Sequence, residues 1–145
     1  MTNVSIACGL DFGSKTCGVA ISDALGLFAH PVTTLTYSQQ DPSQLLGPLE
    51  KIINEHKVET FVLGLPKMMN NDLGPRAQAS LEFKELLEEE FDIPVILMDE
   101  RLSTVSSLRT LSKLDVKRKK KKKVIDQVAA VEILQRYLDQ RKGSL

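Results

Sequence analysis

Two apolar runs, VETFVLGLP (58–66) and IPVILMDER (93–101), constrain the fold of this chain more than any other feature. Each is short, rich in strand-forming residues and closed by proline or by charge, so each reads as a buried strand. A segment of helical spacing precedes each one. In 41–57 the stripe is Leu45, Leu49, Ile52, Ile53 and His56, and in 75–91 it is Leu81, Leu86 and Leu87. Asp41 and Pro42 suit a helix start, with Gly47-Pro48 delaying or kinking it. Ahead of this alternation, 4–11 and 17–22 read as strands around a tight polar turn. A third strand, 27–36, is confined to an edge or interrupted by His30-Pro31. Behind it, Ser103 can cap a helix over 104–114, and 124–141 is the clearest helix in the chain. The order βββαβαβαα predicts an α/β fold, a mixed sheet with helices on both faces. Its 145 residues suit a single domain, 1–145.

Composition narrows the chemistry. No apolar run approaches the ~20 residues that span a bilayer, and the N-terminus lacks a basic, then apolar leader, so a cytoplasmic protein without membrane contact is expected. Cys8 and Cys17 lack zinc spacing and read as reduced thiols. His30 and His56 are the only histidines. A histidine triad or histidine-rich metal centre has little to draw on, which leaves carboxylates to carry any catalysis.

Three acids stand where regular elements begin or end. Asp11 closes the first strand, in GLDFGSKTCGVAIS; Glu100, with Asp99 beside it, closes the last; Asp126 opens the final helix. Ala129, Ala130 and Ile133 share the face of Asp126 at i+3, i+4 and i+7, so that face should pack on the sheet. Taken singly, Asp11 fits a turn acid, Asp99 and Glu100 a solvated strand end, and Asp126 a first-turn acid favoured by the helix dipole. Taken together, they suggest a hard-cation site. Mg²⁺ is commonly held by a few carboxylates and substrate phosphates. Two such ions about 4 Å apart activate water and stabilise a leaving oxygen.

GLDFGSKTCGVAISD, FVLGLPKMMNND, LMDERLSTVSS and KKVIDQVAAVEIL, in this order and spacing, resemble the YqgF/RuvX family over nearly the whole chain. These are bacterial RNase H-like nucleases, described as pre-16S rRNA nucleases and earlier as Holliday-junction resolvase-like. The resemblance implies an RNase H-like fold and cleavage of structured nucleic acid with Mg²⁺ or Mn²⁺. The favoured substrate is the 5′ end of the pre-16S rRNA precursor, with branched DNA the alternative. It also implies Asp11, Glu100 and Asp126 as catalytic and metal-binding acids, with Asp99 in reserve because neighbours in a strand face opposite ways. Classical junction resolvases carry an acid on the strand after the first helix, which VETFVLGLP lacks. The loop PKMMNNDLG departs from the usual pattern, and Ser106 stands where a family Glu would complete a capping box with Ser103.

Formal charge cancels, with 19 basic and 19 acidic side chains, but its distribution is uneven. ELLEEEFD (85–92) is acidic, whereas Lys117, Arg118, Lys119, Lys120, Lys121, Lys122 and Lys123 form an unbroken cationic run leading into Asp126. Read as a mobile loop, that run would offset the repulsion between phosphates and an acidic site and add salt-sensitive affinity; its alternative is a solubilising loop. Lys15, Lys67, Arg76 and Arg101 are further candidates for phosphate contact, against surface solvation for Lys67 and Arg76 and pairing with Asp99 for Arg101. Scattered aromatics favour recognition by backbone and shape. Two other readings compete. One is a kinase-like ATPase, opposed by the chain's length and its lack of G-x-x-x-x-G-K-[ST]. The other is a non-catalytic RNA-binding assembly factor. A monomer or weak homodimer is expected.

Overall fold

Residues 6–36 hydrogen-bond as a meander because their strand-forming runs are interrupted by two turns. Strands β1 (Ile6–Phe12), β2 (Thr16–Ser22) and β3 (Ala29–Thr36) are antiparallel neighbours. The computed structural model describes residues 6–65, 74–99 and 118–143, with side chains in the last stretch described over 127–141. A 3₁₀ turn at Pro42–Leu45 leads into helix α1 (Leu46–His56), so Gly47 and Pro48 fall in its first turn. There the missing proline N–H costs no helical hydrogen bond. Strand β4 (Val58–Leu65), helix α2 (Pro75–Phe91), strand β5 (Val95–Asp99) and helix α3 (Arg118–Gly143) complete the described elements. Sheet order is β3-β2-β1-β4-β5, with β1, β4 and β5 mutually parallel. Pro31 lies on β3, the edge strand, as its missing donor requires. The expected helix over 104–114 lies outside the described residues.

The final helix begins earlier than the spacing predicts, at Arg118 and not 124. Six residues of the basic run, 118–123, are therefore helical and not loop. Lysine is a good helix former, and the segment continues without a breaker into 124–141.

Strand alternation sorts the core onto two faces. Cys8, Leu10, Phe12, Val19, Phe61 and Leu63 pack with Leu49 and Ile52 of α1 and Phe83 and Leu87 of α2. On the other face Ala7, Ala20, Val62 and Met98 pack with Ala130, Ile133, Leu134 and Leu138 of α3. The alanine-rich face read from the sequence is thus buried. Contact is closest at Gly9, where a Cβ would lie 2.7 Å from Leu134 Cβ and 2.8 Å from the Ala130 carbonyl oxygen. Among the described residues, no helix is long and apolar enough to cross a membrane.

Cys8 and Cys17 are free and buried, in keeping with reduced thiols. Burial pushes the Cys8 thiol from 9.0 up to about 12. The neutral thiol is compatible with the fold below 9.0, and stability is lost as pH climbs from 9.0 towards 12, where only the unfolded chain ionises freely. Neither cysteine should react with iodoacetamide at neutral pH until the protein unfolds. Mass spectrometry of the native protein checks this, and rapid modification of Cys8 would contradict it.

Candidate active site

Asp11 lies two residues beyond Gly9 and four beyond Ala7 on β1, so alternation turns its side chain to the α3 face. It is 3% exposed, a level carboxylates reach only with strong compensation. The strand register shows what flanks it across the sheet. Gly18 of β2 is its direct partner. On the other side the register runs Leu10 to Leu63, so the next residue of β4, Gly64, stands level with Asp11 and pairs with Met98 of β5. Glycines on both flanks place no side chain beside Asp11 from the neighbouring strands. Gly64 belongs to the FVLGLPKMMNND stretch that carries the family resemblance; the strand register shows that it and Gly18 flank Asp11.

The turn after Asp11 is tightly closed. Gly13 N–H donates to the Thr16 carbonyl at 2.8 Å, and Tyr37 N–H donates to the Lys15 carbonyl at 3.0 Å. A Cβ on Gly13 would sit 3.0 Å from the Thr16 carbonyl oxygen, so glycine suits this close approach. The Tyr37 hydroxyl donates to the Gly13 carbonyl, and Arg76 Nη2 donates to the Phe12 carbonyl at 2.6 Å. The Phe12 ring stacks with Phe83, centroids 4.2 Å apart, and with Tyr37, 5.4 Å apart.

The expected site residues fare differently. Met98 faces α3 while Leu97 joins the opposite core, so alternation puts the Asp99 side chain away from Asp11. The Asp99 carbonyl accepts a 2.9 Å hydrogen bond from Arg136 Nη1, tying α3 to the end of β5. Glu100, Lys67, Arg101 and Lys117 lie outside the described residues. Asp126 and residues 118–123 are described as helical backbone, with Asp126 one turn before Ala130, but their side chains lie outside the description. Among the described residues no group of three or more His, Cys, Asp or Glu gathers as a metal centre. Lys15 is exposed at the hairpin. Arg76 is half-buried, its guanidinium turned towards the strand end. Sequence reasoning missed Tyr37 and Arg136; their partners lie 24 and 37 residues away, and no local spacing signals them.

A family model described as "RuvX: Holliday junction resolvase" matches residues 5–140. A protein of Geobacillus sp. (strain WCH70) named "Putative pre-16S rRNA nuclease" is 52% identical over 134 residues, covering 92% of this chain and 97% of its own. One of the same name from Oceanobacillus iheyensis is 51% identical over 133 residues, covering 92% and 97%. Among solved structures, T. thermophilus RuvC in complex with a Holliday junction substrate superposes with a TM-score of 0.57 at 14% identity, covering 97% of each chain. The Fowlpox virus resolvase in complex with Holliday junction DNA gives 0.53 at 11% identity, covering 93% of this chain and 97% of its own. At such identities the likeness speaks for the fold, which is the RNase H-like one. A buried acid near the end of β1 between two glycines, that fold, and a match over residues 5–140 agree: the chain belongs to the RuvX family.

Proposed function

We propose that this chain is a divalent-metal-dependent nuclease that cleaves structured nucleic acid, with the 5′ end of the 16S rRNA precursor as its substrate in the cytoplasm. The observation that carries the reading is Asp11, a buried carboxylate flanked by glycines on the face that α3 covers. Its relatives' name supplies the substrate. A hard oxygen donor with glycine on either side fits Mg²⁺ or Mn²⁺. Asp11, Glu100 and Asp126 are the residues that would hold the metal. Continuing the alternation from Met98 favours Glu100 over Asp99 as the second acid, because residues 98 and 100 of a regular strand share a face. When bound, divalent ions supply an activated water and charge stabilisation at the leaving oxygen. The chain's own contribution is to fix the carboxylate on a sheet strand, exclude bulk water from it, and attract phosphates.

The basic run is assigned to attraction. In the first turns of α3 its cations oppose the helix dipole and repel one another, and a polyanion relieves both effects. Replacing residues 119–123 by Gln should weaken RNA binding at low salt. The slope of log K against log salt should fall by about 0.7–0.9 for each phosphate no longer neutralised, while turnover at saturating substrate stays near wild type. Binding isotherms across a salt series check this; an unchanged slope assigns the run to solvation alone.

The test of the function itself is incubation of purified protein with a 5′-extended 16S precursor and with a four-way DNA junction, in Mg²⁺, Mn²⁺ or EDTA. Metal-dependent cleavage of the precursor is expected. Cleavage confined to the junction would assign a resolvase. Tight binding of either substrate without cleavage would assign an assembly factor.

A further inference from the structure

Arg76 stands second in α2, where a cation opposes the helix dipole, so its position calls for a specific partner. It makes two interactions with one residue. Its guanidinium donates a short hydrogen bond, 2.6 Å, to the Phe12 carbonyl and lies 5.4 Å from the Phe12 ring centroid. Tyr37 engages the next carbonyl, that of Gly13, while its ring stacks on Phe12 from the end of β3. Burial pushes the Tyr37 phenol above its usual range, partly offset by the nearby Arg76.

We propose that Arg76 and Tyr37 are positioning residues for Asp11, together fixing the two peptide carbonyls that follow it. The Phe12 ring belongs to the α1–α2 core, on the face opposite the Asp11 side chain. Both residues thus brace the strand end from behind, on the side away from the carboxylate. Three elements that meet nowhere in sequence, the β1–β2 turn, the end of β3 and the start of α2, are joined through Phe12 and Gly13. Arg76 is thereby assigned to the strand end in place of phosphate contact, a role that rests on Asp11 being a metal ligand. A displacement of about 1 Å at a reacting centre can cost on the order of a hundredfold in rate.

Arg76→Lys keeps a charge for phosphate but loses the planar fork and the stacking, and Tyr37→Phe keeps the ring but loses the hydroxyl. Three quantities separate the readings: amide exchange at Gly13, affinity for Mn²⁺ alone, and kcat against KM for nucleic-acid cleavage. In each variant Gly13 exchange should speed about tenfold while the amides of Leu10 and Val19 stay protected. Mn²⁺ affinity should fall about tenfold, and kcat should fall about 10- to 100-fold, with KM and the salt slope of binding unchanged. Tyr37→Phe, the milder change, guards against a folding defect in Arg76→Lys. Unchanged Gly13 exchange or unchanged Mn²⁺ affinity in both variants would overturn the proposal. So would an intact kcat with a raised KM and a shallower salt slope in Arg76→Lys, the signature of a phosphate contact. A wild-type protein that cleaves nothing overturns the nuclease reading instead, and exchange with Mn²⁺ binding still decides the positioning role.

Discussion

Asp11→Asn is expected to lower single-turnover cleavage on the order of a thousandfold, while nucleic-acid affinity changes little. Asn keeps the shape of Asp but removes an anionic ligand. Losing several kcal/mol of metal-based stabilisation, about 4 kcal/mol here, corresponds to that rate factor. If Asp11, Glu100 and Asp126 share one site, their charges repel one another when no cation is bound, and the neutral amide relieves part of that repulsion. Without divalent ion, Asp11→Asn should therefore melt at or above the wild-type temperature, and added Mg²⁺ should raise the wild-type melting temperature more than the variant's. Quench-flow cleavage and calorimetry with and without EDTA check both halves. A variant that is severely destabilised without metal would make Asp11 structural.

Gly9→Ala carries the second large effect. The added Cβ would meet Leu134 Cβ at 2.7 Å and the Ala130 carbonyl at 2.8 Å. A helix carbonyl cannot rotate aside as a side chain can, so α3 must shift off β1, at a cost of about 1–3 kcal/mol or more. For a chain of this size that corresponds to a fall of roughly 2–12 °C in melting temperature. Since Asp126 lies one turn before Ala130, cleavage should fall further than the unfolded fraction explains. Gly47→Ala is the control: a Cβ there meets nothing within 4 Å in α1, so stability should hold or rise by about 0.4–1 kcal/mol. Differential scanning calorimetry separates the two, and equal melting temperatures for both variants would contradict the close packing at Gly9.

Hydrophobic pattern carries the fold into the sequence where burial is continuous. The expected strand over 58–66 is Val58–Leu65, and the expected helix over 75–91 is Pro75–Phe91, because proline and apolar spacing mark their limits. The start of α3 was hidden because the six adjacent cations of 118–123 at a helix N-terminus oppose the dipole, which favours a loop reading; tertiary packing further along the helix outweighs that local penalty. Of the site, Asp11 was legible as an acid inside an apolar strand. The rest depends on register and distance. Gly64 reaches the level of Asp11 only through parallel pairing of β1 with β4, and Arg76 meets Phe12 across 64 residues. Periodicity of one or two turns cannot encode either.

The central claim, that Asp11 holds a divalent ion on the α3 face, is tested most directly by Mn²⁺ titration followed in amide NMR spectra. Paramagnetic broadening should centre on Asp11, Gly18 and Gly64 at low Mn²⁺, and Asp11→Asn should abolish it. Broadening centred on the acidic helix face at 85–92, or unchanged in Asp11→Asn, would contradict the account.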